Sequence, residues 1–235
     1  MTQEMERPQD PADLYHSCGE DVVPARPTLT GDIYQEATIT DADGSTRQIT
    51  GMILDHPCSL RTDGVNLASR LTIAEVLPGR GTNWRGSFNR MYLPEPFPQA
   101  QGKSKPCAAY FDACYHVSPE QLESGTRIAC LSNAGINFLL QRRVHHFSRV
   151  VVPTFKFQEA NGGVYEEADL IEEWCLERED DGVKHLEAAA ECVAWLRGAA
   201  SDGRRRQELL RDPQQRSNVR RQMRMRLKEL GQQGK

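Results

Sequence analysis

Nowhere in the chain do apolar residues run on for the ~18 positions that a membrane-crossing helix needs. The first residues, MTQEMERPQDPADLY, carry acidic residues and prolines where a secretory leader would be basic and then apolar. No membrane partner and a cytoplasmic location are therefore expected. The seven cysteines (18, 58, 107, 114, 130, 175 and 192) contain no C-x-x-C pair and are odd in number, a poor disulfide framework that reads as reduced, mostly buried thiols.

What is present is a chain of 235 residues, 38% hydrophobic, long enough for one large domain or two small ones with a buried core. The net charge of −4 hides an asymmetry. Residues 204–235 hold 11 Lys/Arg against 3 Asp/Glu, which is +8, so residues 1–203 carry −12. A basic tail of this kind suits phosphates or an acidic protein surface, its own included.

Residues 1–28 read as an irregular leader with a short helical turn at DPADLYH. Strand signals follow. DIYQEATIT alternates and is β-branched, DADGS is a turn, and RQITGMILD returns as its hairpin partner. RLTIAEVLPG, NRMYLPEP and CAAYFDACYHV supply three further strands, the last apolar enough to lie centrally. Ser118-Pro119 starts a single helical turn, and Ile136, Leu139, Leu140, Val144 and Phe147 fall at helical spacing from Ser132 onward. RVVVPTFKF is expected to be extended and NGG to turn the chain before helical segments at YEEADLIEEWCLERE, VKHLEAAAECVAWLRGAA and the basic tail. The predicted layout is five short strands and a helix followed by a mainly helical extension, an α+β chain divided at 1–28, 29–150, 151–203 and 204–235.

GDIY opening a strand, RQITGMILDH as the second strand, RLTIAEVLP as the third, and a late strand running into VSPEQLESGTRIACLSNAGINFLLQRRV resemble the MazF/PemK toxins over residues 29–147. The resemblance implies a small SH3-like β-barrel, a setting in bacterial toxin–antitoxin or phage-defence systems, and endoribonuclease activity. In that family an Arg heading the second strand and a Ser/Thr ending the third act on the 2′-hydroxyl and the scissile phosphate. Arg47 takes the first place, with Gln48 where a proline is usual. The second place holds Val76 or Leu77, with Glu75 the only polar neighbour, so the catalytic pair is incomplete.

Asp55, His56 and Cys58 in DHPC, at the end of an apolar strand, form a second candidate. His can hold a thiolate and Asp can orient the imidazole, which together with Arg47 gives a catalytic set. The plainer reading is a strand-end loop whose polar groups satisfy backbone. His16/Cys18, His56/Cys58 and Cys114/His116 are ligand types for zinc, but a single intervening residue strains the turn that wraps the ion. Neither a metal nor another cofactor is expected. GRGTNWRGSFNRMY interleaves aromatics with basic residues, so Trp84, Arg80, Arg85 and Arg90, with Arg61 nearby, are candidate stacking and phosphate contacts, RNA more than DNA. Arg220, Arg221 and Arg224 flank an apolar stripe in the tail. They would either meet phosphates or bridge to the acidic EEADLIEEWCLERED segment, and the C-terminal helices could engage a protein partner. A non-catalytic adaptor in a larger defence complex is the alternative function.

Overall fold

The computed structural model describes residues 4–61, 63–78, 84, 88–94 and 106–233. Arg80 and Arg85 lie outside them. Contacts divide the chain into two units: residues 1–22, 29–60 and 67–159, and residues 23–28, 61–66 and 160–235.

The first unit is built on one antiparallel sheet of seven strands. These are β1 (Tyr15–Cys18), β2 (Ile33–Thr40), β3 (Thr46–Ile53), β4 (Leu71–Pro78), β5 (Arg90–Leu93), β6 (Cys107–Val117) and β7 (Thr126–Leu131), in the order β1-β7-β2-β3-β4-β6-β5. The β2–β3 hairpin closes with Thr40 opposite Thr46 around the expected turn. β6 pairs on both sides and is internal, as its apolar composition requires. Two strands, β1 and β7, go beyond the five read from sequence. Both are short, and β1 finds its pairing only with β7.

Backbone hydrogen bonding leaves the sheet open. One side-chain bond reaches from one edge to the other: the Tyr15 hydroxyl on β1 donates to the carbonyl of Pro94 just past β5 at 2.7 Å. On one face Ile33, Met52, Ala74 and Ala129 lie in register and are buried. On the other, Tyr34, Ala37, Ile39, Ile49, Ile53, Leu71, Ile73 and Val117 form a core with Leu122 of helix α1 (Pro119–Glu123). Helix α1 carries a reciprocal capping box between Ser118 and Gln121. Helix α2 (Asn133–Ser148) begins at the Ser132 cap and ends at Arg149 in the left-handed region.

Helix α3 (Thr154–Glu179) overturns the extended reading of residues 154–157 and the turn expected at residues 161–163. A remote interaction fixes the helix start. Glu6 receives the backbone N–H and the hydroxyl of Thr154 at 2.8 and 2.6 Å, capping the helix start from 148 residues away. Gly162 lies inside the helix where a side chain would crowd a neighbour: a Cβ there would fall 2.6 Å from the Arg216 guanidinium.

The second unit contains the rest of α3, with α4 (His185–Arg197), α5 (Arg206–Leu209) and α6 (Pro213–Gln233), around Leu170, Trp174, Cys192, Leu196, Leu210, Val219 and Met223. Among the described residues no helix is long and apolar enough to cross a membrane.

A candidate nucleic-acid interface on the sheet

Side chains directly opposite each other on neighbouring strands share a face, so the sheet register sorts the polar residues. Gly51 of β3, Glu75 of β4, Tyr110 of β6 and Arg90 of β5 form one lateral row on one face. Tyr115, opposite Ile73, and Arg47, opposite Ile39, belong to the same face. The apolar core under α1 fills one part of it. The other part carries two arginines, two tyrosines and a glutamate.

Contacts tie these five into two groups, Arg47 with Glu75 and Tyr115, and Arg90 with Tyr110, set side by side by the Glu75–Tyr110 register. Arg47 holds Glu75 with both Nη groups, at 3.0 and 3.4 Å, and donates to the Tyr115 hydroxyl at 2.8 Å. Its guanidinium lies over the Tyr115 ring, 5.3 Å from the centroid. Tyr115 in turn donates to Glu75 Oε2 at 3.2 Å. Arg47 Nε donates to Asp41 at 3.0 Å. Across the row, Arg90 stacks on Tyr110 at 5.6 Å and donates to its hydroxyl at 3.2 Å. The Arg47 side chain is 41% exposed and that of Glu75 13%, so the arginine lids the carboxylate. Hydrogen bonding to Glu75 raises the Arg47 pKa further, and burial with the Glu75 charge holds the Tyr115 phenol above its ordinary value.

The chemistry available here is phosphate capture by two guanidinium forks and stacking on two phenol rings. Glu75 adds an acceptor between them. Arg47 and Arg90 were legible from sequence; Glu75 was visible only as a neighbour of the incomplete pair, and Tyr110 and Tyr115 only as members of an apolar strand.

DHPC does not join Arg47. Arg47 sits at the start of β3 and Asp55 beyond its end, and eight residues of extended chain span about 26 Å. Asp55 Oδ2 accepts the backbone N–H of Thr72 at 2.5 Å. The Asp55 carbonyl accepts the Thr30 hydroxyl. His56 caps the turn Pro57–Ser59, its Nδ1 accepting the Cys58 amide at 3.3 Å. That lone pair is taken by a backbone N–H, and burial together with the Arg143 charge lowers the imidazole pKa. Asp55 and His56 thus secure the backbone of a loop. Among the described residues no group of three or more His, Cys, Asp or Glu is placed to hold a metal ion.

The other candidates are occupied in place. Trp84 packs against α2, under the Arg142 guanidinium at 4.5 Å and beside Phe138 at 6.1 Å. Arg142, 2% exposed, donates to the Trp84 carbonyl at 2.7 Å, and burial lowers its pKa to about 10. Arg61 donates to the carbonyls of Val65 and Thr28 in the second unit. Arg220 bridges Glu166 and Glu173 at 2.7 and 2.6 Å, and Arg224 holds Glu173 at 2.8 Å, so the tail is paired to its own acidic helix. Arg221 bonds Asn218 within α6.

Comparison of the chain with protein-family models and with curated proteins returns no match.

Proposed function

We propose that this protein is a diverged MazF/PemK-like endoribonuclease of a bacterial toxin–antitoxin or phage-defence system, and that it engages single-stranded RNA on the Arg47–Glu75–Tyr115 face. The observation that carries this reading is the pair of arginine–tyrosine stacks flanking one carboxylate on a single sheet face. Phosphates would be met by Arg47 and Arg90, and unstacked bases by Tyr110 and Tyr115. The bond from the Tyr15 hydroxyl to the Pro94 carbonyl, between one edge of the sheet and the other, supports an SH3-like barrel left open in its backbone hydrogen bonds.

The test is a mixed RNA pool incubated with the purified chain, with and without divalent metal. Fragmentation that Arg47→Ala abolishes is the expected result. An intact pool under both conditions overturns the reading.

The adaptor reading is favoured by one separate observation: the second unit exposes Leu176, Leu186 and Met225, at 43%, 73% and 56%, apolar surface suited to a protein partner. It predicts that native co-purification of a partner is lost on replacing the exposed Leu186 and Met225 with serine while RNA is unaffected.

A further inference from the structure

We infer that Glu75 is the proton acceptor for RNA cleavage and that Tyr115 relays the proton to the leaving group, an assignment that rests on the ribonuclease reading above. The third strand lacks the hydroxyl that the MazF/PemK pattern would supply there. The structure instead points a carboxylate from that strand at the arginine of the second, with a phenol bonded to both.

The argument starts from the arginine fork. Carboxylate and phosphate present the same pair of acceptor oxygens to a guanidinium, so an incoming phosphodiester competes with Glu75 for Arg47. Arg47 is 41% exposed and can reach a phosphate by exchanging its bonds to Glu75 and Tyr115 for phosphate oxygens, whereas Glu75 is held beneath it on β4. Once Arg47 has turned to the phosphate, both Glu75 oxygens lose their Arg47 donors beside the bound nucleotide. Binding therefore uncovers the base, and positions it next to the cation that stabilises the phosphorane charge.

The step balances without a co-reactant. Glu75 takes the proton of the ribose 2′-hydroxyl, and the 2′-oxygen forms a bond to phosphorus as the bond from phosphorus to the 5′-oxygen breaks. The departing 5′-oxygen takes the Tyr115 phenol proton. Glu75 then returns its proton to Tyr115 across their 3.2 Å hydrogen bond, restoring both groups. The products are a 2′,3′-cyclic phosphate and a 5′-hydroxyl.

The experiment compares the full-length chain with Glu75→Gln, Glu75→Asp and Tyr115→Phe on an end-labelled single-stranded RNA. Rate at saturating RNA, RNA affinity and the chemistry of the fragment ends are read together, with thermal melts as the check on folding. Glu75→Gln is expected to slow cleavage by about 10²-fold or more with affinity retained. Glu75→Asp keeps part of the rate, and Tyr115→Phe falls between the two. Every fragment should end in a cyclic phosphate and a 5′-hydroxyl. Wild-type rates from a folded Glu75→Gln or a folded Tyr115→Phe, or fragments ending in 3′-hydroxyl and 5′-phosphate, overturn the assignment while leaving the ribonuclease reading intact. A wild-type chain that cuts no RNA overturns both.

Discussion

Glu75 stands directly across from Tyr110, although its chain neighbour Ala74 stands across from Cys114. Residues 111–113 are therefore looped out of β6 as a bulge. In an unbroken strand Tyr110 and Tyr115, five apart, would point to opposite faces. The bulge reverses the alternation and puts both rings on the Glu75 face, which fits the habit of bulges to re-aim side chains beside functional sites.

Asp112 at the tip of that bulge is the point to test. Its carboxylate accepts the Asn89 side-chain amide at 2.7 Å and lies 3.4 Å from His146 Nε2. Replacing it with Ala should cost about 1 kcal/mol, the scale of one exchanged hydrogen bond. It should also weaken RNA binding although Asp112 lies outside the five-residue set. Urea midpoints and RNA titrations on the same variant check both effects.

This bulge also marks where the sequence stopped being readable. The β2–β3 hairpin, β4, β5, β6 and α2 follow from local alternation, turn chemistry and caps, and they emerge with nearly the expected boundaries. Arg47 was identifiable from its place at the head of the second strand, and Arg90 from the interleaving of aromatic and basic residues in GRGTNWRGSFNRMY. Tyr110 and Tyr115 were hidden because strict alternation assigns them to different faces. The α3 start was hidden because its cap, Glu6, is remote in sequence. DHPC attracted attention for its residue types, and only three-dimensional contacts show Asp55 and His56 bonded to Thr72 and Cys58 backbone groups.

Gly135, in the first turn of α2, lies close against the backbone of Leu14. A Cβ there would lie well inside van der Waals contact with the Leu14 carbonyl, which backbone cannot relieve by a rotamer change. Gly135→Ala should therefore lose roughly 1–3 kcal/mol despite the better helix propensity of alanine. A lowered urea midpoint at unchanged slope is the expected measurement.

Acid should act on the second unit through Asp63. Its carboxylate accepts the Val65 and Asn66 amides at 2.9 and 2.7 Å and the Asn66 side chain at 2.8 Å, and these bonds, the Asn66 side chain first, lower its pKa to about 2. An unfolded aspartate titrates near ~3.9. The folded value is the lower one, so the stabilisation is complete above about pH 4 and is lost as pH falls through about 2. Asp63→Asn should remove this dependence. Chemical denaturation of both forms from pH 6 to pH 2 should give curves that converge at the acid end.

Salt dependence separates the two basic regions of the chain. Arg47 and Arg90 lie on the proposed RNA face, while Arg220 and Arg224 are committed to Glu166 and Glu173. Each phosphate neutralised on a single strand steepens the plot of log affinity against log salt by about 0.7. Arg90→Ala should therefore flatten that slope by about 0.7, by losing one phosphate contact, and lower affinity at every salt concentration. Arg220→Ala with Arg224→Ala should leave the slope unchanged, because those residues belong to α6 and are not part of the proposed RNA face. The double variant should instead lower the stability of the second unit by about 1 kcal/mol, the scale of partly exposed ion pairs. A slope that responds to the tail variant and ignores Arg90 would move the RNA site to α6 and away from the sheet.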